Sequence, residues 1–126
     1  MPYRRLNLAI AGVLLASAPV AASAADTQAH DARCAYVKSA ILGKLIQEEE
    51  PDQQLVAGVT AHVLYYFGRL DASLERQAIS DLILAEALKF ETFDEVGSAE
   101  KVCDAEMQAT IGFMSTVGER LTANGR

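Results

Sequence analysis

The sequence predicts an all-α protein: a compact four-helix domain with one disulfide, preceded by a signal peptide. Three observations predict it. Apolar residues recur at steps of three and four from about residue 34 onward, the period of one helix face. No segment sustains a two-residue alternation, and Asn124-Gly125, the one hairpin-type dipeptide, sits at the very end. Cys34 and Cys103 are the only cysteines, an even count that in an exported protein reads as one bond.

Export is read from the first residues. Arg4 and Arg5 give a positive start, residues 6–20 are apolar, and Ala22-Ser23-Ala24 has the small-x-small form a signal peptidase accepts. The sequence therefore predicts a Sec-type signal peptide over 1–24 and a single helical domain over 25–126, located in the periplasm. Leu6-Asn7-Leu8 after the twin arginines lacks the features of a Tat signal, and no cysteine stands at the cleavage point for lipidation. The apolar run is shorter than the roughly 20 residues of a spanning helix, and Pro19 closes it, so no stable membrane insertion is expected after cleavage.

The full chain carries 11 basic and 17 acidic residues. The leader holds two of the basic ones and none of the acidic, so the remainder has a net charge of −8. Such a surface disfavours nucleic acid and anionic lipid, whose phosphates are met by clustered Lys and Arg. Here the basic residues are scattered singly.

Taken in order, residues 25–30 are small and polar and read as a loose tail. A first helix opens near Asp31, with Cys34, Val37, Ile41 and Leu45 on its inner face and Lys38, Lys44 and Gln47 on the other side. The acidic run 48–50 and Pro51 end it. Pro51 or Asp52 starts a second helix with the stripe Leu55, Val59, Val63, Tyr66 and Leu70. This is the most apolar segment after the leader, and it is expected at the centre. Gly58 and Gly68, each costing about 1 kcal/mol in a helix interior, point to close packing or to a helix end at Gly68.

Asp71 or Ser73 caps a third helix running to about Lys89, with Leu74, Ala78, Leu82, Ala85 and Leu88 inward and Ile79, Ile83 and Leu84 widening that face. Residues 90–97 form a connector whose Phe90 and Phe93 plug one end of the core. Ser98 caps the last helix, whose inner face is Cys103, Met107, Ile111, Met114 and Leu121, joined by Val117 and Gly118. Residues 122–126 fray. The four helices run antiparallel with short connections.

A bond between Cys34 and Cys103 closes a loop of 69 positions and is worth about 4 kcal/mol at the upper end. It also sets a condition. In an up-down-up-down bundle the starts of the first and last helices lie at opposite ends. Either the cysteines sit further along their helices, or the helices cross steeply.

Motifs for chemistry are sparse. There is no Gly-rich phosphate loop, no Gly-x-Ser-x-Gly elbow and no His-Glu-x-x-His. His30 and His62 show no ligand spacing with either cysteine, so neither a metal site nor a cofactor is expected. His30 falls in the tail and is assigned no role; His62 reads as a half-buried histidine with an ordinary hydrogen bond. The acidic run 48–50 with Asp52 lacks the spacing of a calcium loop. Tyr65, Tyr66, Phe67 and Arg69 are the candidate ligand or partner contacts, within the distinctive string Leu64-Tyr65-Tyr66-Phe67-Gly68-Arg69-Leu70-Asp71.

That string follows Cys34 and precedes Cys103-Asp104-Ala105-Glu106-Met107, with Gly112 and Gly118 beyond. In this order the chain resembles a group of small exported helical proteins of alphaproteobacteria without an assigned activity. The resemblance implies a helical fold and a periplasmic address, and no mechanism; Ala72-Ser73 stands where a longer Gly/Pro-containing turn is usual. A weaker similarity in kind is to acid-activated periplasmic chaperones of the HdeA type, small, exported, helical and closed by a disulfide, though no motif is shared. The expected function is a non-enzymatic periplasmic protein that binds another protein or serves the envelope. An acid-responsive chaperone and a binder of small apolar ligands are the alternatives.

Overall fold

Helix α1, Ala24–Leu45, is the element against which all the others pack in the computed structural model, which describes residues 23–125. It is followed by α2, Gln53–Asp71, α3, Arg76–Ala87, and α4, Phe93–Ala123. The four helices and the Cys34–Cys103 disulfide are those the sequence predicts, and no strand occurs among the described residues. Most of the expected leader, residues 1–22, lies outside the described residues. None of the helices described is long and apolar enough to cross a membrane.

The direction of each helix follows from its pairings with α1. His30, Cys34 and Lys38 meet Glu106, Cys103 and Glu100 in turn, so α4 runs antiparallel to α1. Gln28 and Asp31 meet Ser73 and Arg69, so α2 is antiparallel as well. Arg33 meets Glu86 and Tyr36 meets Phe90, so α3 runs parallel to α1. This is up-down-up-down order. Both cysteines lie well inside their helices, the first of the two ways of satisfying the condition on the bond; their Cα atoms are 5.7 Å apart.

The start of α1 corrects the sequence reading. Residues 25–30 are helix, not a loose tail, because Ser23 and Asp26 form a reciprocal capping box. Cleavage after Ala24 would remove that cap with the leader. Asp52 caps α2 as expected, accepting from Gln54 and Leu55. The cap of α4 is Thr92 rather than Ser98, so Phe93 to Gly97 belong to the helix. Phe90 stacks on Tyr36 while Phe93 is largely exposed, with Lys44 over its ring. Helix α3 begins later than expected, after Glu75, which makes no side-chain cap.

The centre of the molecule is α1, not the more apolar α2. Ala32, Cys34, Ala35 and Val37 are fully buried, and such small side chains let three helices approach one axis. Tyr66 and Leu70 of α2, Ile79 of α3, and Cys103 and Met107 of α4 complete the core cluster. Burial of each large apolar side chain contributes about 1.5–3 kcal/mol. Lys38, placed by the sequence on the outer side of α1, is only 1 % exposed.

Two expected inner faces are displaced. In α3 the buried positions are Ile79 and Glu86, with Leu82 and Ile83 partly covered, while Ala78, Ala85 and Leu88 face solvent. In α4 the buried positions are Val96, Cys103 and Met107, and none lies further along the helix. At about 1.5 Å per residue its 31 residues span about 46 Å, far more than α1 can cover beyond their crossing. Ile111, Met114, Val117 and Leu121 are therefore exposed, as is Phe113. The helix continues through Thr122 and Ala123 before Gly125, at φ 70°, closes its end. Neither reading of the α2 glycines holds: Gly68 lies inside the helix, and a Cβ at Gly58 or Gly68 would meet nothing within 4 Å.

Candidate functional site

Two features stand out, a polar cluster on the α1–α2–α4 side and an apolar groove between α2 and α3. The cluster is built on the disulfide. His30 is one turn before Cys34 on α1, and Glu106 one turn after Cys103 on α4. In antiparallel helices stapled at these cysteines, the two side chains are thrown together. His30 Nε2 lies 2.5 Å from Glu106 Oε2. Arg69 reaches in from α2, donating from Nε to Asp31 Oδ2 at 3.0 Å and from Nη1 to Glu106 Oε1 at 2.5 Å. The same Nη1 donates to the Tyr65 hydroxyl at 2.9 Å.

Asp31 is the buried member, 3 % exposed, and its Oδ1 has no hydrogen-bond partner. Burial pushes its carboxyl above the usual range, outweighing the opposing charge of Arg69, and Glu106 pushes the same way. Burial would lower Arg69, but the bond to Tyr65 and the charges of Asp31 and Glu106 raise it overall. Tyr66 stands behind the cluster. Its hydroxyl donates to the Cys103 carbonyl at 2.9 Å, and burial, then Glu106, raise its pKa.

A second polar group joins α1 to α4 further along. Lys38 donates to Glu100 at 2.9 Å and also to Asp104. His62 on α2 is mostly buried, with Nδ1 3.7 Å from Asp104 and without a hydrogen bond. At Nδ1, then, the ordinary hydrogen bond expected for this histidine has no partner residue. Burial and the Lys38 charge lower its pKa. A cavity of about 420 Å³ opens beside it, with Lys38, His62 and Glu100 in its wall.

The groove has a volume of about 880 Å³. Tyr36 of α1 contributes to it, Leu64, Phe67 and Gly68 come from α2, and Ile79, Ile83 and Leu84 from α3. It exists because α2 and α3 both lean on α1 and barely touch each other. Leu64, Phe67 and Leu84 remain exposed, and Asp71 and Arg76 supply charge at the α2–α3 turn.

The candidate contacts therefore divide. Phe67 lines the groove, Tyr65 and Arg69 belong to the polar cluster, and Tyr66 is core. His30, read as a tail residue without a role, is a member of the cluster, as are Asp31 and Glu106, which the sequence reading did not single out. The cysteine pairing held the signal: given that bond, one helical turn on either side specifies His30 and Glu106. No protein-family model matches this chain, and neither does any curated protein or solved structure.

Proposed function

We propose that this chain is a non-enzymatic helical protein of the periplasm that binds another protein through the groove between α2 and α3. The observation that carries the reading is the groove itself, an open apolar channel of about 880 Å³ with Leu64, Phe67 and Leu84 turned to solvent. Exposed apolar side chains gathered in one concave strip mark an interaction surface. A strip between two helices suits the apolar face of a partner helix, read at positions three and four apart. A small apolar ligand is served less well, since such ligands need enclosure and neither Tyr65 nor Tyr66 lines the groove. The Cys34–Cys103 bond supports an oxidising compartment.

A second reading, acid-responsive chaperoning, draws on a separate observation. Ion pairs with carboxylates tie α1 to each other helix: Asp31 to Arg69, Arg33 to Glu86, and Lys38 to Glu100. Neutralising the carboxylates that face Arg33 and Lys38 would loosen the α3 and α4 seams and leave the disulfide. The deciding experiment is capture of periplasmic proteins by the wild type and by Leu64→Glu and Leu84→Glu, at neutral and acidic pH. A partner held at neutral pH and lost in both variants supports groove binding. Capture that appears only in acid and ignores the variants supports the chaperone reading and overturns the first.

A further inference from the structure

We propose that His30, Asp31 and Glu106 bind one divalent transition-metal cation of the Zn²⁺ class at the stapled crossing of α1 and α4. One donor atom from each of the three lies within 4.8 Å of the others. The residue types are an imidazole and two carboxylates, a set that suits zinc-like ions. Calcium and magnesium prefer an all-oxygen shell and find too few oxygens here.

Asp31 supplies the independent observation. Its side chain is 95 % buried, yet Oδ1 has no partner, a condition that native structures avoid because a buried unpaired acceptor forfeits its hydration without a replacement bond. Arg69 engages Asp31 Oδ2 and Glu106 Oε1, and His30 Nε2 lies against Glu106 Oε2, so Asp31 Oδ1 is the one carboxylate oxygen of the two without a partner. Arg69 is thus an outer-sphere clamp that orients both carboxylates. Its charge offsets one of their two, so the site keeps one net negative charge and binds more weakly than a bare dicarboxylate. His30 and Glu106 are about one-third and one-quarter exposed, which gives an ion a way in. The disulfide one turn away fixes the backbone of both helices before binding, so little ordering is left to oppose it.

The test is calorimetric titration of the metal-free, disulfide-intact protein at neutral pH with Zn²⁺, and in parallel with Ni²⁺ and Cu²⁺. The expected result is one saturable equivalent, weakened at least about tenfold by His30→Gln and by Asp31→Asn. His62→Gln should leave it unchanged. Asp31→Asn removes a buried charge while keeping an acceptor for Arg69, so circular dichroism should show it folded. Three results overturn the site: no saturable binding, binding that survives both ligand variants, or binding that His62→Gln abolishes.

Discussion

The Tyr66 hydroxyl of α2 donates to the backbone carbonyl of Cys103 in α4 at 2.9 Å, so α2 is tied to α4 at the level of the disulfide that joins α4 to α1. Both residues are essentially buried. Tyr66→Phe keeps the ring and deletes only this bond, so it should cost about 1 kcal/mol. In a domain of this size that is a fall of roughly 4–8 °C in Tm, measured by thermal denaturation of the oxidised protein. An unchanged Tm would remove the bond from the account.

Lys38 is buried, whereas its partners Glu100 and Asp104 reach solvent. Replacing the cation with an apolar side chain of similar length therefore strands no buried charge. Lys38→Met should stay within about 1 kcal/mol of wild type in denaturant titration. Removing the partners instead, as Glu100→Gln with Asp104→Asn, leaves the ammonium buried and unneutralised and should cost about 3–5 kcal/mol. Equal losses in the two variants would contradict this asymmetry.

Two buried carboxylates should act on stability with opposite signs as pH changes. Burial would raise Glu86, but its hydrogen bonds to Lys89 and Arg33 outweigh this and hold it below the ordinary value. Its contribution is present above the unfolded pKa and disappears as pH falls through the lowered folded one. Lys89 and Arg33 are about half exposed, so solvent reduces the effect. Asp31 is raised, so its contribution is fully present below the unfolded pKa and lost as pH rises through the folded one. Comparing Tm from pH 3 to 7, Glu86→Gln should lose stability at neutral pH and converge with wild type in acid. In metal-free protein Asp31→Asn should improve on wild type at neutral pH and lose that advantage in acid.

Gly68 faces the groove from within α2, with open space where a Cβ would stand. Gly68→Ala should therefore stabilise the free protein by about 1 kcal/mol through helix propensity. If a partner's helix occupies that space, the same methyl should weaken its capture. Higher Tm with unaltered capture would place the partner elsewhere.

Much of the fold was legible because the helical period and the caps are local signals. Asp52 caps α2, and Val59, Tyr66 and Leu70 are buried as their spacing requires. What a single helix cannot reveal is which side its neighbours occupy. Lys38 looked exposed because it is charged, yet Glu100 and Asp104 come from a helix sixty positions later. The stripe from Ile111 to Leu121 looked buried because it is apolar, but α4 outruns α1. Hydropathy likewise favoured α2 as the centre, whereas small residues gave that place to α1. The polar cluster was hidden for a related reason: His30 and Glu106 become neighbours only once the cysteines are paired and the helices are known to be antiparallel.

Site-specific photocrosslinking in living cells can show whether the α2–α3 groove is the surface that meets a partner. A photoreactive side chain at Leu84, in the groove, is compared with one at Gln108, exposed on α4 away from it. One discrete crosslinked species is expected from position 84, absent from 108 and suppressed by Leu64→Glu. Crosslinks of equal yield from both positions, or none from 84 while 108 gives a defined product, would contradict it.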